Sequence, residues 1–141
     1  MYRLVGRYAD ARRLSELAPL CKPVQCEQGY ATTDRALTRS VYWDVLKDTF
    51  DGEWQSCTLS VIWPYRCIYP HQDGIEAGVQ RYFLVMQSNP DSWVLHDGDW
   101  QQLEEGGVYV VDPTKTHASV NLGNEIRINF IVDVKTNVSR A

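Results

Sequence analysis

A chain of 141 residues, 44% apolar and 23% charged, is long enough to bury a core and is most simply one domain. A net charge of −4 and a pI near 5.3 argue against a nucleic-acid backbone as main partner, because such binding needs clustered Lys and Arg. No segment approaches the roughly eighteen consecutive apolar residues of a membrane span, and MYRLVGRYADARR lacks the apolar stretch of a signal peptide, so a cytoplasmic protein without a membrane partner is expected.

Asp10 is placed to cap a short helix over 11–18, ARRLSELA, where Leu14, Leu17, Ala18 and Cys21 recur at i, i+3, i+4 and i+7 and Pro19 should end the pattern. Residues 22–33 read as loop. DRALTRSVYWDVLKDTF, 34–50, is ambiguous: Leu37, Val41 and Val45 have helical spacing, but Val41, Tyr42 and Trp43 favour a strand. From Cys57 strands follow quickly. CTLSVIW (57–63) and RCIY (66–69) come first, then VQRYFLVMQ (79–87), apolar on both faces and so expected to be covered. SWVLH and DWQQL flank Asp97-Gly98, a two-residue hairpin signal. GVYVVD (107–112), HASVN (117–121) and EIRINFIVDV (125–134) complete the series, with a turn around Gly123. The expected fold is mainly β, a double-stranded β-helix or jelly roll over about 57–134. Short N-terminal helices in a helical and irregular part, about 1–56, pack on one sheet, and 1–141 form a single domain.

Cys21, Cys26, Cys57 and Cys67 form no Cys-x-x-Cys pair and are expected to be reduced and partly buried. The five tryptophans are expected in the core and pocket wall. His96, beside the Asp97-Gly98 turn, reads as an exposed hairpin residue, and Asp112 and Asn121, which flank His117, read as turn residues or else as hydrogen-bond partners supporting a ligand there.

The last strand divides by alternation. Ile126, Ile128, Phe130, Val132 and Val134 share one face and should pack against the N-terminal helix, while Arg127, Asn129, Ile131 and Asp133 share the other. Arg127 would then point between the sheets, where an unpaired guanidinium is costly and calls for an anion or for an internal pair with Asp133 or Asp112. YPHQDG, 69–74, places His71 two residues before Asp73, and His117 opens a later strand. Two histidines and one carboxylate on one face of an Fe(II) leave positions open for a chelating co-substrate and O2. Arg127, ten residues beyond His117, could pair bidentately with the far carboxylate of a dicarboxylate chelated at the metal.

LSVIWPYRCIYPHQDG, RYFLVMQSNP and LEEGGVYVVDPTKTHASVNLGNEIRINFIVDV, in that order over roughly 57–134, resemble the Fe(II)/2-oxoglutarate-dependent oxygenases. The resemblance is strongest to the aspartyl/asparaginyl beta-hydroxylase family, which includes bacterial proline hydroxylases. It implies a cupin-like barrel with His71, Asp73 and His117 as iron ligands, Arg127 holding the distal carboxylate of 2-oxoglutarate, and Arg81 holding a carboxylate of substrate or co-substrate. It further implies Fe(II), 2-oxoglutarate and O2 as requirements, and hydroxylation of an amino acid or of a residue in a peptide. The presence of Asp73 favours hydroxylation over halogenation. The inward Arg81 adds the expectation of a small-molecule or peptide substrate bearing a carboxylate. Two other readings use the same residues: a non-catalytic cupin-like module that binds metal or a small acid, and a zinc hydrolase with Glu76 as its base.

Overall fold

In the computed structural model, which describes residues 1–26 and 28–136, the chain runs β1 (Arg3–Arg7), α1 (Ala11–Ser15), a 3-10 turn (Ala18–Cys21), β2 (Val24–Gln25), β3 (Tyr30–Thr32), α2 (Arg35–Leu46), β4 (Glu53–Ile62), β5 (Arg66–His71), β6 (Val79–Gln87), β7 (Ser92–His96), β8 (Asp99–Gln101), β9 (Gly107–Val111), β10 (His117–Asn121) and β11 (Arg127–Lys135). The larger sheet has the order β1-β9-β6-β11-β4-β3-β2 and the smaller β5-β10-β7-β8. The strand pairings are antiparallel, so the two sheets face each other as a jelly roll.

Alternation along β11 separates two interiors. Phe130, Val132 and Val134 join Leu59, Leu84 and Met86 beneath Tyr42, Leu46 and Phe50, which cover the outer face of the larger sheet. The cover is mainly α2, with Leu14 and Ala18 beside it, rather than the expected N-terminal helix alone. The ambiguity of 34–50 resolves as a helix because Asp34 caps it, accepting from the Leu37 amide at 2.9 Å, and because Thr38, Tyr42 and Leu46 form its buried stripe. Packing thereby overrides the strand preference of Val41, Tyr42 and Trp43. The opposite face of β11 looks between the sheets. There Tyr2, Phe83, Val85, Val94 and Tyr109 form a second apolar cluster, which fills only part of the space.

Several expectations need correction. Asp10 does not cap α1; it adopts a left-handed conformation with φ 56° and makes no side-chain cap bond. The supposed loop 22–33 contains β2 and β3, which extend the larger sheet through pairing with β4. His96 is 5% exposed, because its Nε2 bonds the Asp112 carbonyl at 2.8 Å and Tyr2 packs edge-on against its ring. Trp93 and Trp100 are exposed on β7 and β8, and no tryptophan lines the inter-sheet cavity. Asp97-Gly98 does form the two-residue hairpin, with φ of 51° and 88° at its two residues.

Asn121 holds the turn after β10. Fully buried, it donates to the carbonyls of Ile62 and Glu125 and accepts from Asn89 Nδ2, Ser92 Oγ and the Gly123 amide. Asn121→Ala strands these groups away from water, so a loss of about 3 kcal/mol of stability is expected in urea unfolding.

Candidate metal centre and its cavity

The pairing of β5 with β10 brings the two histidines together. His71 lies opposite His117, while Ile68 lies opposite Ser119, so β5 carries one residue more than β10 over that interval. This is a β-bulge at Tyr69-Pro70, where Pro70 has no N–H to give to the ladder. The extra residue turns His71 to the same inward face as Ile68, and both line the cavity. Asp73 follows two residues later, its amide tied to the Pro113 carbonyl at 2.9 Å.

Each imidazole is oriented by the carbonyl two residues before it in the chain. His71 Nδ1 lies 2.7 Å from the Tyr69 carbonyl and His117 Nδ1 lies 2.8 Å from the Lys115 carbonyl. A carbonyl only accepts, so each Nδ1 carries a proton, and the tautomer this selects is the one that presents an Nε2 lone pair to a metal. Asp73 Oδ2 is 3.6 Å from His71 Nε2 and 3.4 Å from His117 Nε2. One donor atom from each of the three residues lies within 4.8 Å of the others. Neutral imidazoles and a carboxylate converging in this way on an accessible face fit a divalent first-row metal with open positions. Burial, followed by the neighbouring His71, lowers the pKa of His117 and so keeps it in the neutral form a metal ligand requires.

Asp73 has another partner. Arg81 donates to Asp73 Oδ2 at 2.8 Å and grips Asp133 with two bonds, Nε to Oδ1 at 2.7 Å and Nη2 to Oδ2 at 3.0 Å. Burial alone would raise the Asp73 carboxyl, but the Arg81 hydrogen bond and charge bring it below its ordinary value. Arg81 faces the cavity, as its strand phase indicates, yet its guanidinium is already taken up by two acids of the chain.

Arg127 is the reverse case. It is 1% exposed, and its Nε and Nη1 have no hydrogen-bond partner among the described residues; neither Asp133 nor Asp112 pairs with it. Burial pushes its pKa down to about 10. Asn129, one inward position earlier in the approach from the metal side, and Ser60, its register partner on β4, likewise leave Oδ1 and Oγ unpartnered. Buried polar groups normally find partners. The Arg127 Nε and Nη1 and the Ser60 hydroxyl are donors on neighbouring strands and fit a carboxylate, whereas Asn129 Oδ1 only accepts and calls for a donor. Sequence reading passed over Ser60, whose only signal was its inward phase on β4.

The cavity lined by His71, Asp73, His117, Arg81, Ser60 and Asn129 has a volume of about 640 Å³. Hydroxyls of β3 and β4, from Thr32, Ser56, Thr58 and Ser60, form one wall. Glu76, which a zinc hydrolase would want as base, is exposed and outside this lining.

Residues 27–137 match the model of a family described as Aspartyl/Asparaginyl beta-hydroxylase. The chain matches no curated protein. Similar solved structures include a 2OG-Fe(II) oxygenase family oxidoreductase from Burkholderia pseudomallei, 10% identical with a TM-score of 0.65 over 95% of this chain and 84% of that one. HygX from Streptomyces hygroscopicus, solved with nickel and 2-oxoglutarate bound, is 6% identical with a TM-score of 0.66 over 92% of this chain and 79% of that one. A predicted oxalate decarboxylase from Thermotoga maritima is 11% identical with a TM-score of 0.58 over 84% and 96%. At such identities the likeness is one of fold. No described helix is long and apolar enough to cross a membrane.

Proposed function

Since the chain belongs to the aspartyl/asparaginyl beta-hydroxylase family, we propose that it is an Fe(II)- and 2-oxoglutarate-dependent dioxygenase that hydroxylates an amino acid or an amino-acid residue of a peptide. One observation carries this reading: a His-Asp-His cluster lines a cavity that runs on to Ser60 and Asn129, and one inward position beyond Asn129 on β11 stands Arg127, buried and with Nε and Nη1 unpartnered among the described residues. The metal would take His71 Nε2, His117 Nε2 and Asp73 Oδ2. Bound there, Fe(II) supplies with O2 and 2-oxoglutarate the oxidising chemistry that converts an unactivated C–H bond to an alcohol. Arg127 and the Ser60 hydroxyl would hold the distal carboxylate of 2-oxoglutarate, which satisfies donors that otherwise lack partners. The enclosing walls exclude water and orient the substrate. The hydroxyl-rich wall suits a polar substrate better than an acyl chain. A substrate carboxylate would meet Arg35, which lines the cavity and makes no ion pair among the described residues.

Arg81 is assigned to Asp73 in this reading. Asp133 fixes the guanidinium, and the guanidinium fixes the carboxylate that the metal needs. Asp133→Asn leaves Arg81 with Asp73 as its one remaining acid, so the arginine draws that carboxylate away from the metal. Mn(II) affinity, read by electron paramagnetic resonance, should fall about tenfold; an unchanged affinity would reduce the pair to a strut.

A screen of amino acids and peptides for stimulation of Fe(II)-dependent succinate release from 2-oxoglutarate tests the function. The expected result is stimulation by one or a few of them. Tight binding of metal and 2-oxoglutarate with no succinate under any condition would make the chain a binding module instead.

A further inference from the structure

We infer that the N-terminal segment, outside the matched residues 27–137, contributes a co-substrate-binding residue: the Tyr2 hydroxyl donates to the distal carboxylate of 2-oxoglutarate beside Arg127. The inference rests on the reading of the preceding subsection and deepens it.

Tyr2 is 2% exposed and lines the cavity. Its backbone is clamped at both ends by one side chain, since the Tyr2 amide donates to Gln101 Oε1 at 3.0 Å and Gln101 Nε2 donates to the Tyr2 carbonyl at 2.9 Å. Gln101 belongs to β8 in the smaller sheet, whereas β1 is the edge of the larger sheet. The clamp therefore ties the two edges together and closes the cavity wall on that side. The ring is held edge-on by Phe83 at 5.1 Å and His96 at 5.8 Å between centroids. Clamp and rings together fix Tyr2 in the cavity lining.

Among the described residues the Tyr2 hydroxyl has no hydrogen bond of its own; the bonds Tyr2 makes are those of its peptide groups. Tyr2 lines the cavity, so a molecule bound there can supply the partner that a tyrosine hydroxyl in a buried setting ordinarily has. The hydroxyl lies in the fields of both Arg127 and Arg81, and burial pushes its pKa up to about 12, against the pull of these cations. It is therefore a neutral donor at physiological pH. Arg81 is already committed to two acids, which leaves Arg127 as the cation whose anion the phenol can share. An acceptor that satisfies a guanidinium and a phenol together is a carboxylate.

The test is Tyr2→Phe, which keeps the ring and its packing and removes only the hydroxyl. Calorimetric titration of the Mn(II)-loaded protein without O2 compares 2-oxoglutarate with 2-oxobutyrate, which chelates alike but lacks the distal carboxylate. Tyr2→Phe should weaken 2-oxoglutarate about tenfold, the loss of one hydrogen bond to a charged group, and leave 2-oxobutyrate and Mn(II) affinity unchanged. Equal losses for both acids would show a structural role and overturn the inference, as would no loss for either. A parent protein that binds the two acids equally would instead sink the assignment of Arg127, and the role of Tyr2 with it.

Discussion

Replacing His117 with Ala should abolish binding of Mn(II) or Fe(II) and with it all succinate release. His117 is the most enclosed of the three candidate ligands, with its side chain 9% exposed against 39% for His71 and 37% for Asp73. Its ring is preset by the Lys115 carbonyl, so its Nε2 needs no reorientation to meet an ion. Losing it leaves one imidazole and a carboxylate that Arg81 already claims. The fold should survive, because the one hydrogen bond of the ring joins it to its own loop and β10 is held by β5 and β7 on either side. Circular dichroism and urea unfolding should therefore match the parent while the metal signal is lost. If His117→Ala binds Mn(II) as tightly as the parent, the metal is elsewhere.

Arg127→Met should have two effects of opposite sign. An arginine buried without a partner among the described residues is a liability to the empty fold, and Met replaces its stem with an apolar chain of similar length. The ligand-free protein should gain about 1–3 kcal/mol in stability. The same change removes the bidentate partner of the distal carboxylate, so 2-oxoglutarate should bind at least about tenfold more weakly, a loss of about 1.4 kcal/mol or more. In the parent, 2-oxoglutarate should raise the thermal midpoint by mass action; in the variant that rise should disappear. A variant that is less stable and binds 2-oxoglutarate normally would assign Arg127 to the framework. Stability gained where function is lost is the usual mark of a site held ready for a ligand.

The barrel was readable because its signals are local. The alternation of β11 separated Phe130 and Val132 from Asn129 and Ile131, and Asp97-Gly98 supplied the two positive-φ residues of its hairpin. The inward course of Arg127 followed from the same phase. The features that escaped depend on distant partners. β1 is exposed along most of its length and becomes a strand by pairing with β9, about a hundred residues away in sequence. The bulge at Tyr69-Pro70 cannot be counted from one strand alone, although it decides which way His71 points. His96 looked like a turn residue because it precedes Asp97-Gly98, but Tyr2 and the Asp112 carbonyl, both remote in sequence, draw it inside. For Arg81, strand phase gave the direction of the side chain and left open which acid would meet it.

The most direct measurement is succinate formed from 2-oxoglutarate by the purified protein in the presence of Fe(II) and O2. The account predicts succinate release that Arg127→Met reduces sharply and His117→Ala eliminates. A protein that is folded, loaded with Fe(II) and saturated with 2-oxoglutarate, yet releases no succinate with any amino acid or peptide supplied, would contradict it.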